Sequence, residues 1–120
     1  MNLLRFSPLL LLAALPIQAN AAGKGEALFK QRCQACHTIA AGQKGVLAPN
    51  LRGLVGRKAA STAGFNYSPA LKSSGLSWTK ANLDKFLTGP GKLVPGTRMV
   101  IVVSDAKDRA AILDYLATVK

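Results

Sequence analysis

The stretch Cys33-Gln34-Ala35-Cys36-His37 decides how this 120-residue chain is interpreted. Two cysteines separated by two residues and followed directly by histidine form the pattern by which haem c is attached to a protein. In that chemistry two thiols add across the two vinyl groups of the porphyrin, and the next side chain offers a neutral imidazole to the iron. We therefore predict that Cys33 and Cys36 anchor one covalent haem c and that His37 is an axial ligand.

Three other interpretations of the motif have less support. A redox pair of the thioredoxin type occurs near an alternating strand and helix pattern, and this sequence has no such alternation. A structural zinc site needs four ligands, whereas the chain has two cysteines, one histidine and five acidic residues in total. A structural disulfide would leave His37 without a function.

Methionine supplies the candidate for the second axial ligand. The chain has two methionines, and Met99 is the one that remains when the N-terminal leader is set aside. Methionine more often fills gaps in a core, but Met99 follows Pro95-Gly96, which predicts a turn. A loop of this kind can present a ligand to the iron from the side opposite His37. We predict that Met99 is the sixth ligand.

Residues 1–21 have the composition of a secretory signal peptide. Arg5 supplies a positive charge, residues 6–15 form an apolar stretch, and Ala19-Asn20-Ala21 is a small-x-small cleavage pattern. The apolar stretch is shorter than the roughly 20 residues that span a membrane. We expect cleavage before Ala22, export to the periplasm and a single domain over residues 22–120. An uncleaved membrane anchor is the alternative.

The charge balance restricts the class of partner. The formal net charge is +11, and it falls to +10 when Arg5 is removed with the leader. Such a charge suits nucleic acid, an anionic membrane or an acidic protein surface. Export and the even spread of the basic residues argue against nucleic acid. We predict docking to acidic redox proteins, which electrostatic attraction would accelerate.

Helical patterns lie at both ends of the domain. Residues 25–36 have apolar side chains at helical spacing without an interrupting proline. Thr79 is a candidate N-cap of a second helix that ends at Gly89-Pro90, and a third begins near Ser104 or Asp105. Residues 40–76 are rich in glycine, serine, alanine and proline, which indicates either an ordered loop wrapped on another part of the molecule or a disordered segment. No strand pattern occurs. The predicted buried face of the last helix comprises Ile112, Leu113, Leu116 and Val119.

Further motifs follow one another along nearly the whole domain, at 25–29, 49–57, 65–68, 76–78, 95–99 and 115–116. Together with the attachment motif and the spacing from His37 to Met99, they resemble those of class I c-type cytochromes, of the mitochondrial cytochrome c and bacterial cytochrome c2 type. The resemblance implies a small all-α fold whose loops wrap one covalently bound haem. Its terminal helices would cross at Gly25, Phe29 and Tyr115.

The resemblance also implies roles for residues around the cofactor. Pro49 would accept a hydrogen bond from His37 through its carbonyl oxygen, which orients the imidazole. Four residues would surround a buried haem propionate, two as hydrogen-bond donors (Tyr67, Trp78) and two nearby (Arg57, Thr97).

Three residues on the methionine side depart from the family pattern. Phe86 and Leu71 stand where many mitochondrial members have tyrosine and asparagine, and Ile101 stands where phenylalanine is common. Because hydrogen bonding and burial influence the reduction potential, we expect this pocket to be tuned differently.

Basic positions around the exposed haem edge are also partly retained. The family pattern is matched at Arg32, Lys44, Lys92 and Arg98. It is interrupted at Val46, Gly91 and Asp105. The partners that the resemblance implies are a bc1-type reductase, a terminal oxidase, a reaction centre or a dehydrogenase.

Function follows from the predicted coordination. An iron with His37 and Met99 in both axial positions has no open site for substrate, so we predict a soluble, monomeric one-electron carrier and not an enzyme. A dedicated cytochrome c subunit of a dehydrogenase complex is one alternative. A peroxidase-like haem protein is another, and it would require Met99 to be weakly bound.

Overall fold

The computed structural model describes residues 12–14 and 21–120, and this part of the chain contains five helices. Almost all of the predicted signal peptide lies outside these residues. The helices are α1 (Ala21–Arg32), α2 (Pro69–Lys72), α3 (Lys80–Thr88), α4 (Pro90–Leu93) and α5 (Ala106–Thr118). Within the described residues no strand forms beyond a single antiparallel bridge between Lys58 and Ser77, which confirms the all-α class. None of the helices described is both long and apolar enough to cross a membrane.

The two terminal helices cross each other closely, as predicted. Gly25 of α1 is buried against α5, where a Cβ atom would lie 2.8 Å from the Cβ of Tyr115 and would overlap the carbonyl oxygen of Ala111. One turn further along, Phe29 is 1% exposed and its ring centroid lies 5.8 Å from that of Tyr115. The absence of a side chain at Gly25 therefore sets the separation of the helices.

The end of α1 differs from the sequence-based prediction. The helix begins at Ala21 and ends at Arg32, so it is shifted towards the N-terminus relative to the predicted range 25–36. The carbonyl oxygen of Phe29 accepts from both Cys33 N and Gln34 N, at 2.8 and 3.0 Å. The second of these is the six-to-one bond that closes many helices. Residues 33–36 consequently form turns, with the attachment motif just beyond the helix.

Helices α3 and α5 agree with the prediction. Thr79 caps α3 by accepting from Asn82 N at 3.1 Å, and Asp105 caps α5 by accepting from Asp108 N at 3.0 Å. Val119 is the half-buried C-cap of α5 and lies just outside the buried face. The buried residues of the two helices are Leu83, Phe86 and Leu87 in α3, and Ala111, Ile112, Leu113 and Leu116 in α5.

Two short helices were not predicted. Helix α2 begins at Pro69, directly after Ser68, whose hydroxyl accepts from Leu71 N at 3.2 Å. Helix α4 begins at Pro90, where the sequence pattern predicts only the end of α3. Proline in the first turn is a helix-start signal, so both helices have a local signature.

Candidate functional site

One cavity collects all of the predicted site residues. Its volume is about 410 Å³, within the range of roughly 300–1,000 Å³ that is usual for ligand and cofactor pockets. The walls come from the turns after α1, the loop before α2, helices α3 and α5, and the loop that leads to α5. The predicted residues that line it are Cys33, Cys36, His37, Pro49, Arg57, Tyr67, Trp78, Thr97 and Met99.

The two cysteines lie in the turns directly after α1. Cys33 is half-buried and Cys36 is exposed. Burial raises the pKa of the Cys33 thiol, and the positive charge of Arg32 opposes that shift in part. Both cysteines line the cavity, which places them next to a group bound there.

His37 is held in one orientation by the loop opposite. Its Nδ1 atom lies 2.8 Å from the carbonyl oxygen of Pro49. A carbonyl oxygen can only accept, so Nδ1 carries the hydrogen and Nε2 keeps its lone pair. Burial lowers the pKa of His37, although the hydrogen bond to Pro49 works in the opposite direction. The structure thus favours a neutral imidazole whose Nε2 is unprotonated, which is the form that binds metals.

Met99 is presented by a tight turn. Thr97 N donates to Val94 O at 3.0 Å, and Gly96 has a φ of +91°. Proline at the second position and a positive φ at the third are the features of a type II turn. Arg98 secures the loop through a 2.8 Å hydrogen bond from Nη1 to Asn66 O. Met99 itself is half-buried and lines the cavity.

Hydrogen-bond donors line one wall of the cavity. Tyr67 and Trp78 are both 6% exposed. The Tyr67 oxygen accepts from Thr62 N at 3.3 Å, which leaves its own hydrogen free to donate. Arg57 is held by a 2.9 Å bond from Nη1 to Arg52 O. No aspartate or glutamate of the described chain lines the cavity, so this wall suits the carboxylates of a ligand.

Comparison with known proteins agrees with this geometry. The family model described as "Cytochrome c" matches residues 22–120. The chain belongs to the cytochrome c family. It is 48% identical over 104 residues to cytochrome c2 of Rhodomicrobium vannielii, with 83% of this chain and 82% of that protein covered. It is 40% identical over 104 residues to cytochrome c-554 of Methylosinus trichosporium, with 83% and 78% covered.

A solved structure shows the same fold. Cytochrome cH from Methylobacterium extorquens superimposes with a TM-score of 0.75 at 43% identity, with 81% of this chain and 97% of that chain covered. Membership of the cytochrome c family means that this protein binds one covalent haem c. It is an electron carrier and not an enzyme, and it exchanges electrons with redox partners. The residues around the cavity fit that cofactor, because they include two cysteines, one histidine and several side chains that can donate hydrogen bonds to carboxylates.

The methionine side of this cytochrome fold is apolar. Phe86 is 7% exposed, and its ring centroid lies 4.9 Å from that of Trp78. Phe86 and Ile101 line the cavity, whereas Leu71 packs against the hydrophobic core outside it. Two of the three departures from the family pattern therefore face the cofactor site directly.

Two contributions to the site are absent from the sequence-based prediction. Phe65 lines the cavity and meets the ring of Tyr67 edge-on at 5.0 Å. Asp108 of α5 forms ion pairs with Lys24 at 3.4 Å and with Arg32 at 3.7 Å. Phe65 belongs to the motif at residues 65–68, so the sequence contained a signal that it lies near Tyr67. No local feature of the sequence connects Asp108 with Arg32, because the two residues are far apart in the chain.

Proposed function

We propose that residues 22–120 hold the haem between His37 and Met99 and use it to move single electrons between redox partners in the periplasm. The observation that carries the proposal is that His37, Met99 and both cysteines line one cavity. When bound, the haem iron supplies a reversible one-electron couple. If the chain occupies both axial positions, no position is left for substrate, which agrees with electron transfer.

His37 acts in this proposal as a pre-oriented ligand. The 2.8 Å hydrogen bond to Pro49 O selects the tautomer with a free Nε2 and restricts rotation of the ring. Such a partner for the second ring nitrogen also raises the basicity of a ligating imidazole. The Pro49 carbonyl is therefore proposed as a positioning group and not as a ligand.

Met99 acts in this proposal as the second axial ligand, opposite His37. A thioether is a soft, uncharged ligand that imposes no protonation step on the change of oxidation state. The Pro95-Gly96 turn and the hydrogen bond from Arg98 to Asn66 O place it without help from a regular helix. The strength of the proposed bond thus depends on the conformation of the loop.

The polar wall is proposed to bind the propionate groups. Tyr67 and Trp78 would donate through the phenol and the indole N–H, and Arg57 would compensate the negative charge from a position fixed by Arg52 O. Thr97 would contribute from the start of the methionine loop. Buried carboxylates are costly unless they receive such hydrogen bonds.

The location and the partners belong to the same proposal. The small-x-small pattern at residues 19–21 supports cleavage of a signal peptide before Ala22 and release into the periplasm. The partner is proposed to be a bc1-type reductase, a terminal oxidase, a reaction centre or a dehydrogenase, docked near Arg32, Lys44, Lys92 and Arg98. The excess of basic over acidic residues supports a partner with negative charge.

Optical spectra of the holoprotein test the proposed ligation. We expect low-spin spectra in both oxidation states and a methionine-to-iron charge-transfer band in the ferric state. Met99→Ala removes the band, whereas the control Val102→Ala, three residues further along the same loop and outside the cavity lining, retains it. A band that persists in Met99→Ala would show that another group ligates the iron. The mass of the protein from a periplasmic fraction separately tests cleavage before Ala22.

A further inference from the structure

The segment that presents Met99 is fixed at its two ends and bare between them. We call residues 97–104 the methionine loop. Its upstream end is held by the hydrogen bond from Arg98 described above. At its downstream end Val103 is fully buried, and its N–H donates to Leu87 O at 2.9 Å. Between these points the backbone of residues 99–102 forms no hydrogen bond with any other described residue. A segment with so few bonds opens at low cost, so the position of Met99 depends on the two anchors.

Arg109 of α5 adds a second contact at the downstream anchor. Its Nη1 atom donates to the carbonyl oxygen of Val103 at 3.0 Å and to that of Ser104 at 2.9 Å. An Nη atom of arginine carries two hydrogens, so both bonds form at once. The side chain is only 12% exposed, which reduces competition from water. Arg109 consequently ties the end of the methionine loop to α5.

The guanidinium of Arg109 is itself held by Asp84 of α3. Arg109 Nε lies 2.7 Å from Asp84 Oδ1, which makes a short, charge-assisted hydrogen bond. Because the guanidinium is a rigid plane, fixing Nε also fixes the direction in which Nη1 donates. Within the described chain the carboxylate of Asp84 bonds only to Arg109. An effect of Asp84 on the methionine loop therefore passes through Arg109.

We propose that Asp84 and Arg109 are positioning residues for the axial ligand Met99. The pair fixes the downstream end of the methionine loop to α3 and α5, and it thereby slows the departure of the thioether from the haem iron. Neither residue lines the cofactor cavity, so neither acts on the haem by direct contact. This inference rests on the proposed ligation by Met99 and adds what keeps that ligand in place.

A second ion pair between the same two helices provides a matched control. Lys80 of α3 lies 3.0 Å from Asp114 of α5, through Nζ and Oδ1. Within the described chain the Lys80 ammonium bonds only to Asp114, so this pair joins α3 to α5 without holding the methionine loop. Asp114→Ala and Asp84→Ala remove the same charge and one ion pair each. A difference between the two variants therefore reports the loop anchor and not the charge or the packing of the helices.

Exchange of Met99 for imidazole measures the departure of the thioether. Imidazole binds the ferric iron of the holoprotein only after the thioether has left, so at high imidazole concentration the observed rate levels off at the rate of that departure. Stopped-flow absorbance follows the loss of the methionine-to-iron charge-transfer band. Four variants are compared with the wild type: Asp84→Ala, Arg109→Gln, these two combined, and Asp114→Ala.

We expect Asp84→Ala to raise the limiting rate about fivefold, which is the upper range for an ion pair with one half-exposed partner. Arg109→Gln should raise it about tenfold, because both bonds to the loop carbonyls are lost as well. In the presence of Arg109→Gln, Asp84→Ala should add less than about twofold, since the two residues act as a unit. Asp114→Ala should stay within about twofold of the wild type.

Two results overturn the proposal. Equal rates in Asp84→Ala and Asp114→Ala, whether raised or not, would show that the Asp84 pair has no special effect on the loop. An effect of Asp84→Ala that is as large with Gln at position 109 as with arginine would show that Asp84 does not act through Arg109. If Arg109→Gln does not fold, Arg109→Lys takes its place, because it keeps the charge but lacks the planar fork.

Amide hydrogen exchange tests the anchor without any reaction at the iron. The Val103 N–H should exchange about fivefold faster in Asp84→Ala, because the loop end opens more often, and within about twofold of the wild type in Asp114→Ala. An unaltered Val103 amide in Asp84→Ala contradicts the proposal. If the wild type has no charge-transfer band, ligation by Met99 is wrong, whereas the Val103 amide still decides whether Asp84 and Arg109 anchor the loop.

Discussion

The crossing of α1 and α5 makes a strong prediction about a single methyl group. In Gly25→Ala, the new Cβ atom would lie 2.8 Å from the Cβ of Tyr115 and would overlap the carbonyl oxygen of Ala111. Favourable carbon contacts are about 3.5–4.0 Å, so the helices must separate by about 1 Å. Because Ala111 O belongs to the backbone of α5, the strain cannot be relieved by rotating a side chain.

The magnitude follows from two opposing contributions. Overpacking a core by one methyl group costs about 1–3 kcal/mol, and a clash with a backbone atom belongs at the upper end. Alanine in a helix interior gains about 1 kcal/mol over glycine. We therefore expect Gly25→Ala to lower the free energy of unfolding by about 2 kcal/mol, which is roughly a thirtyfold change in the folding equilibrium.

Guanidinium unfolding of the holoprotein measures this change through the fluorescence of Trp78, the one tryptophan of the chain. Gly23→Ala is the matched control, because it lies in the same helix and its added Cβ meets nothing within 4 Å. The control should be as stable as the wild type or more stable by up to about 1 kcal/mol. If Gly25→Ala is as stable as Gly23→Ala, the close helix crossing is wrong.

Three further predictions concern the cofactor, the loops and a helix cap. We predict that Lys92 replaces Met99 as an iron ligand at high pH, because an uncharged lysine amine can bind iron whereas an arginine side chain stays protonated. Lys92→Ala should therefore move the loss of the methionine charge-transfer band to higher pH, and Lys44→Ala should leave it unchanged. An unshifted transition in Lys92→Ala refutes this assignment. The double variant Cys33→Ala with Cys36→Ala lacks the two thioether anchors of the haem. Without the haem the isolated chain should lose most of its helical circular dichroism, because a domain of this size has a thin core. Native helicity in this variant without cofactor would contradict the prediction. Thr79→Ala should lower the free energy of unfolding by about 1 kcal/mol, because the Thr79 hydroxyl accepts from Asn82 N at the start of α3. Thr118→Ala should lower it clearly less, because the Thr118 hydroxyl bonds only to Tyr115 O at the end of α5.

Helices with a local start signal and a regular apolar stripe were the predictable part of the fold. Thr79 caps α3 as predicted, and Asp105, one of the two predicted starts, caps α5. Both were predictable because N-capping depends on residues three apart in the chain. The end of α1 was misplaced because its closing bond, from Gln34 N to Phe29 O, depends on backbone geometry and not on residue type. Helices α2 and α4, each of four residues, are too short for a periodic pattern.

The cofactor site also has a part that the sequence predicts and a part that it does not. The predicted residues line one cavity, and their identities came from the attachment motif and the family pattern. The ion pair between Arg32 and Asp108 spans most of the domain in sequence and has no local signature. That contact and the hydrogen bond from Arg98 to Asn66 O join segments far apart in the chain, and a count of charges in the sequence does not reveal them.

What this sequence determines by itself is its chemistry. One histidine, two cysteines and a single methionine beyond the first residue leave few possible partners for a haem, because ligand chemistry depends on residue type and on local order. The tertiary structure alone decides the distance at which the terminal helices cross, the ion pair between Arg32 and Asp108, and the exposure of the apolar side chains at residues 46–47 and 100–102. These depend on contacts between segments far apart in the chain, where packing and burial, and not composition, determine which groups meet.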